Sequence, residues 1–240
     1  MDLSFSDEAQ AGWQAGLLSA RPAPPVAPPL PAGLQHPLGE GEGLPVLHVP
    51  EDLPGAEIPL IVMFHGAGSN PARALRRLGE EPVLRKCLVL ATKSRGSTWD
   101  ILQGGYGFDV AVLDYALTAV FRRFPVDASR IAIAGFSDGA SYALSLGLAN
   151  GDLFTHAMGF SPGFVVPGPR RGRPSLFVSH GREDAILPID RCGRAVVSLL
   201  RGEGYAVRYL EFEGGHILPA EMVAAAMDNF TANARDSGGA

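Results

Sequence analysis

The chain has 240 residues, 46% of them hydrophobic and 19% charged, enough apolar material for one large core. Its formal net charge of −5 is scattered along the sequence without a basic cluster, which argues against nucleic acid or an anionic membrane surface as a partner. Residues 1–10 carry three acids and no Lys or Arg, with no apolar segment and cleavage site behind them. Apolar runs fall far short of the roughly 20 residues that span a bilayer, and Cys87 and Cys192 lack any spacing that specifies a disulfide or a metal site. The expectation is a soluble cytoplasmic protein without a signal peptide, its two thiols reduced and used for packing.

In chain order, residues 21–31 come first, with prolines at 22, 24, 25, 28, 29 and 31. Such a stretch supports neither a helix nor a sheet ladder, so residues 1–32 read as an arm, extended on the surface or a disordered leader, ahead of one domain at 33–240. Gly39 to Gly43 suggests a hairpin turn between short strands at 35–38 and 44–49. Beyond it, short apolar runs alternate with helical periodicity. Strands are predicted at 60–64, 87–91, 130–134, 156–160, 175–179 and 206–212, and helices at 71–78, 108–124, 139–149, 189–202 and 219–232. In the second helix Phe108, Val112, Ala116, Val120 and Phe124 form one stripe, and Val110, Leu113, Leu117 and Phe121 the adjoining one. The alternation predicts a doubly wound α/β domain with its chemistry at the carboxyl ends of the strands.

After the strand ending at Ala134 come Gly135-Phe136-Ser137-Asp138-Gly139 and then a helix. Small residues flank the serine because a sharp strand-to-helix turn brings positions 135 and 139 against neighbouring backbone, and Ser137 Oγ then projects above the sheet. An ordinary turn with a capping serine would share the pattern; the strand before and the helix after favour a nucleophile. A serine hydroxyl needs a base, and the base a carboxylate to orient it. His216, in Glu213-Gly214-Gly215-His216 after the last strand, fits the base, while His36, His48, His65, His156 and His180 read as structural. For the acid, Ser179-His180-Gly181-Arg182-Glu183-Asp184 offers two carboxylates. Asp184 is preferred over Glu183 because Ala185-Ile186-Leu187-Pro188 would pack it down beside the site, and Asp190 reads as a helix cap or a solvated residue. Phe64-His65-Gly66-Ala67-Gly68 follows the first core strand and allows a backbone amide to face an oxyanion. That role falls to the amides of Ala67 and Asp138. A tight connection or a phosphate cradle would also use glycines there, but neither a Walker lysine nor a Gly-x-Gly-x-x-Gly fingerprint is present.

Taken together these residues resemble the α/β-hydrolase superfamily, in which nucleophile, acid and histidine follow in that order. More narrowly they are similar to the phospholipase/carboxylesterase group of small bacterial esterases and acyl-protein thioesterases. The resemblance runs from Pro45 to the carboxyl end and rests on four stretches: His65-Gly66-Ala67-Gly68; Val126-Asp127-Ala128-Ser129-Arg130-Ile131; His180-Gly181 with Asp184; and Gly215-His216. It implies an α/β-hydrolase fold with a mainly parallel sheet and helices on both faces; between the strand ending at Phe160 and the acid loop, Gly159 to Arg173 is too short for a large cap domain and reads as at most a short flap. It further implies a serine esterase acting on small-molecule carboxylic esters of short to medium acyl chains through an acyl-enzyme, with no metal and no organic cofactor. Asp127 and Arg130 are implied to form a structural turn. Asp138 departs from the His, Gln or Met that the group often carries after the nucleophile, and its carboxylate bears on which substrate charges are accepted. Trp99 and Tyr106, in the glycine-containing loop after the second core strand, are expected to face substrate; an anchoring role for Trp99 in the core is the alternative. The same triad would serve a thioesterase, a lactonase or a polyester depolymerase, and a homodimer is compatible with the sequence. A non-catalytic binding protein on this scaffold is the reading from another class, against which the complete set Ser137, Asp184 and His216 stands.

Overall fold

The computed structural model describes residues 6–39, 43–54 and 57–231. In chain order the elements are α1 (Asp7–Gln14), β1 (Leu34–Pro37), β2 (Val46–Val49), β3 (Ile58–Phe64), α2 (Pro71–Arg77), α3 (Glu81–Leu84), β4 (Leu88–Thr92), α4 (Phe108–Phe121), β5 (Val126–Phe136), α5 (Asp138–Ala149), β6 (His156–Phe160), β7 (Ser175–Gly181), α6 (Gly193–Gly202), β8 (Val207–Phe212) and α7 (Ala220–Thr231). Eight strands form one sheet in the order β1-β2-β4-β3-β5-β6-β7-β8. β1 and β2 pair antiparallel with each other, and β2 antiparallel with β4, whereas every other neighbouring pair is parallel. The hairpin turn expected over 39–43 falls partly outside the described residues, as does the last residue of the helix expected to end at 232.

β3 and β4 are buried at every residue, as strands covered on both faces must be. Because side chains alternate along a strand, Leu60, Val62 and Phe64 join a core with α4 and α5, while Ile61 and Met63 join a second core with α2 and α7. The two cores sit on opposite faces of the sheet, whose parallel strands bring the carboxyl ends of β3, β5, β7 and β8 to one edge. β5 begins earlier than the apolar run predicts. Asp127 there accepts hydrogen bonds from the Ser129 amide and hydroxyl and, at 2.5 Å, from Arg130 Nε, and the register against β3 shifts between Ile58 and Leu60. α4 buries Val110, Leu113, Ala116, Leu117, Val120 and Phe121, but Phe108 is half exposed beneath the Arg95 guanidinium.

The segment ahead of the sheet is attached at several points. Asp114, buried in α4, accepts from Trp13 Nε1, the Ser19 amide and hydroxyl, and the Ala20 amide at 2.7–2.9 Å. Asn150, after α5, accepts from the Leu18 amide and donates to the Gly16 carbonyl. Trp13, Leu18 and Ala20 thereby belong to the α4–α5 core. The proline-rich stretch that follows has no regular structure and lies along the end of α4, its Val26 and Ala27 amides donating to the Arg122 carbonyl. Among the described residues no helix is long and apolar enough to cross a membrane.

Candidate active site

Ser137 stands between β5 and α5 with φ 59° and ψ −123°, a left-handed conformation that costs a non-glycine residue on the order of 1–3 kcal/mol. The surroundings enforce it. The Ser137 amide donates to the Phe160 carbonyl at the end of β6, and the Ala140 and Ser141 amides close the first turn of α5 onto the Ser137 carbonyl. A side-chain carbon at position 135 would run into the Gly139 carbonyl, and one at 139 would stand 2.5 Å from the His65 carbonyl oxygen. Glycine is required at both positions by close approach of backbone.

His216 is held over Ser137 by the ends of β7 and β8. The Arg182 amide donates to the Phe212 carbonyl and the Glu183 amide to the Gly214 carbonyl. Gly181 leaves room for the carbonyls of Gly214 and Gly215, which a side chain there would strike. His216 Nε2 lies 2.8 Å from Ser137 Oγ, and Nδ1 lies 2.6 Å from Asp184 Oδ2. A carboxylate oxygen accepts, so Nδ1 carries the hydrogen and Nε2 presents its lone pair to the hydroxyl. Asp184 is buried, and its Oδ1 accepts the amides of Ile186 and Leu187 at 2.9 and 2.8 Å. Burial alone would raise its pKa. The Leu187 amide, His216 and the Ile186 amide outweigh that and hold the carboxyl below the usual carboxylate range. Glu183 is exposed, and Asp190 is exposed and paired with Arg194.

The loop after β3 lies against the serine: a side-chain carbon at Gly66 would be 3.3 Å from Ser137 Cβ. His65 is buried with Nδ1 2.7 Å from the Gly66 carbonyl and Nε2 accepting the Ser94 amide at 3.1 Å. The Gly68 amide donates to the Ser97 carbonyl, so the loops after β3 and β4 brace each other. Asp138 opens α5, where its amide precedes the intrahelical ladder, and its carboxylate accepts from Thr98 Oγ1 at 2.7 Å.

Trp99 does not line a cleft. It is fully buried, its indole N–H donates to the His65 carbonyl at 2.9 Å, and its ring stacks 4.9 Å from Tyr142. A ring that large on an otherwise glycine- and serine-rich loop anchors the loop by packing between Phe64 and Tyr142. Tyr106 packs against Gly16, its ring 6.0 Å from the Tyr142 ring and its hydroxyl buried. Sequence reading also missed Phe136, which sits beside the His216 ring at 4.8 Å, and Arg77, whose guanidinium covers Phe136 at 4.1 Å. Only knowledge of the α2 packing could have found that stack. Among the described residues no group of three or more His, Cys, Asp or Glu side chains is placed to hold a metal ion. Cys87 and Cys192 are buried and unpaired.

An eight-stranded, mainly parallel sheet covered on both faces, with this turn at the end of β5, is the α/β-hydrolase fold. Neither a family model nor a curated protein matches the sequence. Solved structures do match in fold. The carboxylesterase of Bacillus cereus superposes with a TM-score of 0.63 over 79% of this chain and 93% of its own, at 20% identity. Esterase PE8 gives 0.61 over 73% and 92%, at 21% identity. A truncated carbohydrate esterase from gut microbiota gives 0.66 over 88% and 98%, at 15% identity.

Proposed function

We propose that this chain is a serine hydrolase of carboxylic esters. The observation that carries the reading is the hydrogen-bonded line Ser137 Oγ to His216 Nε2 and His216 Nδ1 to Asp184 Oδ2 at 2.8 and 2.6 Å, on a serine held with positive φ. In this reading His216 takes the Ser137 proton as Oγ attacks the acyl carbon, and Asp184 stabilises the imidazolium that forms. The Ala67 and Asp138 amides receive the oxyanion. His216 then gives its proton to the departing alcohol, and water activated by His216 releases the acid from Ser137. Ile186 and Ile217, 69% and 52% exposed beside the acid and the base, offer an open apolar rim suited to short and medium acyl chains. The connection between β6 and β7 supports an uncovered cleft, since its Gly163, Phe164 and Val166 amides are tied down to the hydroxyls of Ser141 and Ser145 in α5.

Turnover of p-nitrophenyl butyrate tests the reading. Ser137→Ala is expected to lower kcat by roughly 10⁶-fold, the scale of losing a triad nucleophile. A variant that keeps wild-type turnover would remove Ser137 from the reaction.

A further inference from the structure

His180 is the next-to-last residue of β7, four residues before Asp184, and its ring is completely buried. Nε2 lies 2.7 Å from the Leu187 carbonyl oxygen and 3.3 Å from Asp184 Oδ2. Both are acceptors when Asp184 is ionised, so Nε2 carries the hydrogen; it donates it to the Leu187 carbonyl, with Asp184 Oδ2 in polar contact beside it. Nδ1 is buried with no hydrogen-bond partner, and Gly193 packs so closely that a side-chain carbon there would be 2.5 Å from it. A second proton would have no acceptor, and burial pushes the ring's pKa down despite the nearby Leu187 carbonyl and Asp184 carboxylate. The imidazole is a neutral donor. It contacts the same carboxylate oxygen that accepts from His216, while the Leu187 amide binds the other oxygen, so Leu187 ties His180 to Asp184 through a hydrogen bond at its carbonyl and another at its amide.

We propose that His180 is a positioning residue for the acid of this site. Its Nε2–H, donated to the Leu187 carbonyl, holds Leu187 so that its amide binds Asp184 Oδ1 and sets the rotation of the carboxylate, leaving Oδ2 to meet His216 Nδ1. The role rests on the hydrolase reading of Ser137, His216 and Asp184. It makes a specific demand on position 180: a side-chain N–H at the reach of Nε2, with no need for a titrating ring.

The test compares wild type with His180→Leu, His180→Gln, His180→Asn and Ser137→Ala on p-nitrophenyl butyrate, with thermal melts to establish that each is folded. Glutamine carries an amide N–H to about the reach of Nε2, asparagine stops short of it, and leucine has none. A misplacement of about 1 Å can cost on the order of 100-fold. His180→Leu and His180→Asn should therefore lose about 10- to 100-fold in kcat with KM within about twofold, and His180→Gln should recover most of the loss. Wild-type kcat in the leucine variant overturns the proposal, and so does a glutamine variant as slow as asparagine, which would make the ring's packing and not its N–H the requirement. Should leucine fail to fold, the glutamine and asparagine pair decides the question. Undiminished turnover in Ser137→Ala is a separate result that overturns the hydrolase reading itself.

Discussion

At the scale of single residues, the turn around Ser137 works by exclusion of side chains, and two glycines there have different duties. Gly135 faces backbone that cannot move without dragging α5, so Gly135→Ala should cost more than about 3 kcal/mol or prevent folding, as overpacking against fixed atoms does. At Gly66 the nearest atom is Ser137 Cβ at 3.3 Å, a contact a few tenths of an ångström too close. Gly66→Ala should fold with a melting temperature near wild type and lose ester turnover. Equal thermal destabilisation in the two variants would contradict this division of roles. Ser137 and its glycines were legible because strand, Gly-x-Ser-x-Gly and helix are contiguous in the chain. Asp184 could be weighed against Glu183 only through the apolar residues after it, which in the structure accompany a buried Asp184 and an exposed Glu183. Trp99 was left open because an aromatic on a glycine-rich loop reads the same whether it faces substrate or fills the space above Tyr142.

Among the elements, β6 was predicted at its observed bounds, and the other core strands differ from expectation at their ends. Ends depend on contacts that an apolar run does not encode. α6 starts at Gly193 and not at 189 because the Pro188 carbonyl takes the Arg191 and Cys192 amides in a separate turn. α4 stops at Phe121, ahead of Pro125, which removes a donor and disfavours helical backbone before it. The outer strand β8 carries Glu211, gripped by Arg194 of α6 and Arg182 after β7 at 2.7–3.1 Å. Arg194, and then Arg182, outweigh burial and hold the Glu211 carboxyl down to about 2. A carboxyl depressed in the folded state stabilises above its unfolded pKa and loses that contribution as pH falls through the folded value. The stability difference between wild type and Glu211→Gln should therefore be full at pH 7 and shrink as pH falls from about 5 to about 2. Urea midpoints at stepped pH values check the sign; a difference that grows on acidification would be the contrary result.

At the scale of the whole molecule, the proline-rich stretch was legible as irregular backbone, since six prolines leave no other choice. What precedes it was not. Helix α1 and the docking of Trp13, Leu18 and Ala20 depend on Asp114 and Asn150, 94 to 132 residues away in sequence. Asp114, a buried carboxylate, accepts four of these hydrogen bonds. Removing it in Asp114→Ala leaves the Ser19 and Ala20 donors without their acceptor, which should cost more than about 3 kcal/mol. Amide hydrogen exchange should then rise across residues 7–20, and unchanged protection there would show that the segment is held by something else.

The most direct test of the account asks which atom becomes covalently bound. The chain is treated with a fluorophosphonate, and the modified peptide is mapped by mass spectrometry. One adduct per chain on Ser137, lost in Ser137→Ala and slowed in His216→Ala, is the expected result. An unmodified Ser137 in folded protein, or an adduct on another residue, would contradict the central claim.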